Sequence, residues 1–235
     1  MTKIRVHQVV ALSAGAAFLA ACGPRIDTAA KADIDQRLAA MAPSGQVFGF
    51  PTGLEPKPLA VGQWTQHRMV GGNSQPSLVT YKVVGEEGDA YWVEVANESY
   101  YGKTVSKILL GIGDRSNPST VEIRAVKMKD KNGKVTELTG TTIQLMKSMY
   151  QSAINVLVVR WQGLPQENVN AIAGSFAGCF KALTDASWGV WRSTSTSWMH
   201  PAVPISGLVK SMGISQPTSM ELVGFGDSGA TSEIP

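Results

Sequence analysis

The chain is poor in the residues that most often build a chemical site. It holds three histidines and two cysteines among 235 residues, and only 17% of its residues are charged. A Cys/His cluster and a paired-histidine motif are both missing, so none of the spacings that hold zinc occur. His7 belongs to the N-terminal apolar stretch, which leaves His67 and His200 as possible bases. His67 falls within a strand pattern and His200 just before Pro201, positions that read as a strand-face and a turn histidine. Gly102-Lys103-Thr104 lacks the earlier glycine of a phosphate loop, because Asn97 stands in its place. Gly174-Ser175-Phe176-Ala177-Gly178 does not put its serine at the centre of five, as a nucleophile elbow requires. The expectation is a protein that is not an enzyme and has no metal and no cofactor. The apolar run Val9–Ala21, interrupted by Ser13 and Gly15, falls short of the roughly 20 residues that cross about 30 Å of hydrocarbon. The formal charge of +3 falls nearly to neutral without Lys3 and Arg5, which precede that run. A near-neutral domain gives no electrostatic case for nucleic acid.

What is present at the start is the layout of an export signal: Lys3 and Arg5, a short apolar core, then small residues. Leu19-Ala20-Ala21-Cys22 directly behind that core resembles the lipobox of bacterial prolipoproteins. The resemblance implies that the Cys22 thiol receives a diacylglycerol and that the bond before it is cut. Residues 1–21 are then a lipoprotein signal peptide, residues 22–58 a lipidated N-terminus and flexible tether, and residues 59–235 a β-rich envelope domain. Each buried methylene adds about 0.8 kcal/mol of membrane affinity, so a diacylated Cys22 makes the membrane a standing partner. In the enterobacterial sorting rule an aspartate after the cysteine retains the protein in the inner membrane. Gly23 in that place implies the outer membrane, facing the periplasm. Cys179 is left without a partner, and its apolar neighbours from Ala173 to Phe180 point to a small core residue. No adjacent charge is there to lower its pKa.

The stretch from Gly23 to Pro58 is rich in Pro, Gly and Ala, with a short helical candidate from Thr28 to Met41. Pro43, Pro51, Pro56 and Pro58 work against continuous helix or central strand. From Val61 onward short apolar runs alternate with turn signals. Strands are expected at Trp64–Val70, Ser77–Val84, Ala90–Ala96, Lys103–Ile112 and Val121–Met128. Asn132-Gly133 after the last of these is a strong hairpin signal. Ile143, Met146, Met149, Tyr150 and Ile154 recur at helical spacing and predict a helix from about Thr142 to Val156. Three more strands are expected near Val169–Leu183, Trp188–Trp198 and Met220–Phe225. The fold class is α+β, mostly β: a curved antiparallel sheet, half-barrel-like, packed on one principal helix.

All six tryptophans lie after the signal, and on strands their usual role is packing. A tryptophan-bearing first strand, a meander, a helix and returning strands are followed by Val203–Lys210 and Glu221–Gly226. This order resembles the lipoprotein-localisation-factor (LolA/LolB-like) half-barrel superfamily. The resemblance implies an apolar cavity for acyl chains, with an inner face drawn from Trp64, Trp92, Met146 and Met149. Two functions are thus expected in competition. One is a lipid-anchored, non-enzymatic envelope protein that binds a lipid or other hydrophobic molecule. The other is an interaction lipoprotein that docks an envelope protein and fills its sheet with its own side chains.

Overall fold

In the computed structural model, which describes residues 25–71, 75–113, 120–138, 143, 161–188, 191–214 and 217–235, the β-branched and aromatic runs between turn signals form strands. One helix, α1 (Thr28–Ala40), comes first among the described elements. The strands are β1 (Val47–Phe48), β2 (Trp64–Val70), β3 (Pro76–Glu87), β4 (Ala90–Ser99), β5 (Gly102–Ile112), β6 (Val121–Lys129) and β7 (Val135–Leu138). They continue with β8 (Gln166–Ala171), β9 (Gly174–Trp188), β10 (Trp191–Met199), β11 (Leu208–Gly213) and β12 (Ser219–Gly226). They make one open, curved sheet in the order β1-β9-β10-β11-β12-β2-β3-β4-β5-β6-β7, with β8 pairing β9 off that path. Every pairing is antiparallel except that of β1 with β9. Two meanders, β2 to β7 and β8 to β12, are therefore fused where β12 lies beside β2.

The turns explain much of the register. Asp130 Oδ1 accepts the main-chain N–H groups of Asn132 and Lys134, and Gly133 takes φ 83°, so the Asn-Gly pair closes the β6–β7 hairpin as its sequence requires. The expected strand from Val169 to Leu183 is instead a hairpin. The chain reverses between Ala171 and Gly174, which pair with each other. Gly174 sits at φ 145°, and a Cβ there would lie 2.7 Å from the Gln46 carbonyl oxygen. Only glycine fits both the backbone conformation and the close approach of the segment leading into β1. Trp188 ends β9 and Trp191 begins β10, and the two are partners in the antiparallel register of those strands. Strands β1, β7 and β11 had no counterpart among the expected strands.

The expected helix Thr142–Val156 falls outside the described residues apart from Ile143, which packs on the core of β3 to β6. The helix that is described, α1, coincides with the short candidate after Gly23. Asp27 caps it, its Oδ1 accepting the N–H groups of Ala29 and Ala30.

The described part of the expected tether, residues 25–58, lies against the sheet. Ile34 of α1 is buried, and Arg37 bonds to Glu98 of β4 at 2.7 Å. Phe48 stacks on Phe176 with centroids 4.4 Å apart, and the Gly49 carbonyl meets His200. Between Met41 and Pro58, where the prolines fall, the described structure holds only the two-residue β1, and aromatic stacking and main-chain pairing fix the segment against the sheet.

Alternation divides β3 to β6 into two chemically distinct faces. Val83, Val93, Ile108 and Val126 stand in register across the strands, all nearly inaccessible, and form the core with Leu59 and Ile205 over them. Each such side chain contributes about 1.5–3 kcal/mol by leaving water. One residue away on each strand, Lys82, Glu94, Lys107 and Lys127 form a second row on the opposite face. A further core under β8 to β12 gathers Phe176, Cys179, Val203, Val209 and Leu222. Beside it, Trp161 lies among Phe180, Met199 and Leu208.

Candidate functional site

The charged row is covered by the stretch after β12. Asp227 bonds to Lys57 at 2.8 Å, and the Ala230 N–H donates to the Gly62 carbonyl at 2.9 Å. From that root the tail, Thr231–Pro235, lies over β3 to β6. Lys82 and Lys103 grip the Glu233 carboxylate at 2.6 and 2.7 Å. Burial works against that carboxylate, but these hydrogen bonds outweigh it and hold its pKa below the usual range. Lys107 donates to the Ile234 carbonyl at 2.6 Å, Lys129 to that of Glu233 at 3.2 Å, and Lys127 to the Pro235 main-chain oxygen at 3.0 Å. Glu94 is fully buried beneath the tail, and its carboxylate accepts the N–H groups of Glu233 and Ile234 and the Ser232 hydroxyl. Ile234 is equally buried, against Ala96 and Val105. Burial depresses the Lys107 pKa, and the neighbouring Lys127 charge adds to the effect against the pull of Glu94.

Both tryptophans expected in an apolar cavity are on this charged side. Trp64 pairs with Lys82 at the end of the row and lies over Gly224 and Gly226, where a Cβ on Gly226 would come 2.6 Å from its indole nitrogen. Trp92, two residues before Glu94, has the ammonium groups of Lys107 and Lys127 at 5.4 and 5.8 Å from its ring. The structure does not bring Trp64 and Trp92 onto the face that holds the valine and isoleucine row. Met146 and Met149 lie outside the described residues, as do Leu19, Ala20, Ala21 and Cys22.

Neither histidine is placed for proton transfer. His67 is inaccessible to solvent, with Nε2 3.0 Å from the Leu208 carbonyl, and burial pushes its pKa down to about 4. Its neutral ring therefore donates from Nε2, and Nδ1 has no partner among the described residues. His200 Nδ1 accepts the Ala202 N–H and Nε2 meets the Gly49 carbonyl, so both nitrogens are committed; burial lowers its pKa too. It borders a surface hollow of roughly 420 Å³ lined also by Phe48, Phe50 and Pro51. Cys179 is buried, and burial, reinforced by Glu167, raises its thiol pKa to about 12. Among the described residues no group of His, Cys, Asp and Glu could hold a metal, and no helix is long and apolar enough to cross a membrane.

The lysine row is not legible in the sequence. Lys82, Lys107 and Lys127 are ordinary solvent-face residues of three alternating strands until the register places them side by side. Glu94 within Trp92-Val93-Glu94-Val95 was the available signal, a carboxylate inside an otherwise apolar run that must find donors when buried.

These features define an open, curved, mostly β sheet with a helix and a peptide segment against it. No family model matches the chain, and no curated protein matches it. Among solved structures, the chain is similar to a Bacteroides fragilis protein whose name calls it exported and YMCC-like in fold. The two share 12% identity over 74% of this chain and 100% of that one, with a TM-score of 0.34.

Proposed function

We propose that the protein is a lipid-anchored, non-enzymatic docking protein of the cell envelope, held to its membrane through Cys22. Gly23 after that cysteine favours the outer membrane, with the sheet facing the periplasm. The observation that carries the docking reading is the division of the sheet. The chain's own Leu59 and Ile205 cover the apolar row, while the opposite, charged face holds an extended peptide. A face of that kind suits a protein partner.

Binding of a hydrophobic molecule with a polar end is the second reading. It is favoured by Thr65 Oγ1 and His67 Nδ1, buried on the apolar side of β2 and without a partner among the described residues. Native mass spectrometry of the chain from Arg25 onward, purified without detergent, separates the two. The docking reading expects the mass of the polypeptide alone, and a lipid carried through purification would replace it with the second.

A further inference from the structure

The tail is held largely through groups that every peptide has. Lys107 and Lys129 bond its carbonyls and Glu94 its amides. What the row reads from side chains is narrower: the Ser232 hydroxyl on Glu94, the Glu233 carboxylate between Lys82 and Lys103, and Ile234 against Ala96 and Val105. Hydroxyl, acid and apolar residue in succession is thus the pattern that fits.

The electrostatic match is incomplete. Lys107 and Lys129 donate to main-chain carbonyls, which any peptide in this register presents, so their charges are left without a carboxylate of the tail. The carboxylates in contact with the lysines and amides here are Glu94 and Glu233, and Glu137 of β7 stands opposite Lys127 in register. A segment with the same apolar residue and more acids would therefore bind more strongly than the tail itself.

The tail's root stays beside the row. The Lys57–Asp227 pair and the Ala230–Gly62 bond tie it to its own sheet, so the displaced tail remains close by as an intramolecular competitor. We propose that the row Lys82–Glu94–Lys107–Lys127 is a receptor for an extended acidic segment of a different envelope protein. The chain's own tail fills it until that segment displaces it. This rests on the docking reading and names the partner chemistry for it.

The test uses the full chain and a fluorescein-labelled synthetic peptide, Ser-Glu-Ile-Asp-Asp, with Ser-Gln-Ile-Asn-Asn as control. On the native chain, excess acidic peptide should speed hydrogen exchange at the Glu233 and Ile234 amides by at least about tenfold, because the intramolecular competitor is released. Ile234→Asp puts a charge against Ala96 and Val105 and unseats the tail. That variant should bind the labelled peptide at least about tenfold more tightly than the native chain. Unchanged exchange at saturating peptide would overturn the proposal, as would equal binding of the control. A concentration-dependent dimer with both amides still protected would assign the row to a second copy and overturn it too. If Ile234→Asp fails to fold, the exchange experiment on the native chain decides alone. Failure of the peptide to bind leaves the detergent-free mass, and with it the docking reading, untouched.

Discussion

The Ile234 amide donates to the Glu94 carboxylate at 2.9 Å across 140 residues of chain. Glu94 is inaccessible to solvent, and its oxygens are taken up by the Glu233 amide and the Ser232 hydroxyl as well. The bond thus joins an otherwise unstable buried charge to donors that would themselves be unpaired without it.

Removing that charge should be costly in a graded way. Glu94→Leu leaves the two tail amides without an acceptor and the flanking lysines without their counter-charge, and should destabilise by about 3–5 kcal/mol. Glu94→Gln keeps an acceptor oxygen and should cost about 1–2 kcal/mol. Urea unfolding gives both values. Equal losses for the two variants would show that shape, not charge, holds the tail.

His67 sets an acid limit on the fold. Its pKa falls from 6.5 in the open chain to about 4 when buried. Between those values the unfolded state binds more protons, so stability is undiminished above pH 6.5 and declines as the pH falls towards 4. The full effect is about 3 kcal/mol. His67→Leu loses the hydrogen bond to the Leu208 carbonyl, about 1 kcal/mol at neutral pH, and should flatten the decline. His200, depressed in the same direction, keeps a remainder. Urea midpoints from pH 4 to 7 test this, and a variant with the native slope would count against it.

Gly174→Ala joins strain at φ 145° to a 2.7 Å approach to the Gln46 carbonyl oxygen, so the segment through β1 must move. A loss of more than about 2 kcal/mol is expected. It should be accompanied by faster hydrogen exchange at Ser175, whose amide donates to that carbonyl. Native exchange at Ser175 in the alanine variant would show that the turn relaxes elsewhere.

Strands were legible wherever alternation and turn chemistry agreed. Val121–Met128 followed by Asn132-Gly133 became β6 and its hairpin, and Trp64–Val70 became β2 without a shift. Legibility failed where distant residues set the outcome. Val169–Leu183 reads as one strand because Ile172-Ala173-Gly174 lacks a polar turn pair; the reversal there depends on Gln46, far away in sequence. The pro-rich stretch before Pro58 reads as a tether because its aromatics have no visible partner until Phe176 is folded beneath Phe48. The row under the tail is a product of register alone, so Lys82 and Lys127 carry no sign of each other in the sequence. The half-barrel resemblance implies an apolar face for Trp64 and Trp92, and strand parity sends them to the charged one.

The two cysteines should part company in chemistry. Cys179, with its thiol pKa raised to about 12, should resist iodoacetamide at pH 8 in the folded chain and react on unfolding in urea. Cys22→Ser should abolish incorporation of radioactive fatty acid, since serine offers no thiolate to the diacylglycerol donor. Rapid native alkylation of Cys179, or undiminished label on the serine variant, would refute the respective expectation.

Arg68 of β2 and Glu221 of β12 pair across 153 residues, and the strands that carry them are neighbours in the middle of the sheet. A chain emerging N-terminus first can zip β2 to β7 early, but β2 then presents a bare row of donors and acceptors until almost everything else has arrived. Completion of the sheet waits on a contact of very high sequence separation, which slows folding. During that wait the open edge of β2 is the place where one half-made molecule can pair wrongly with another.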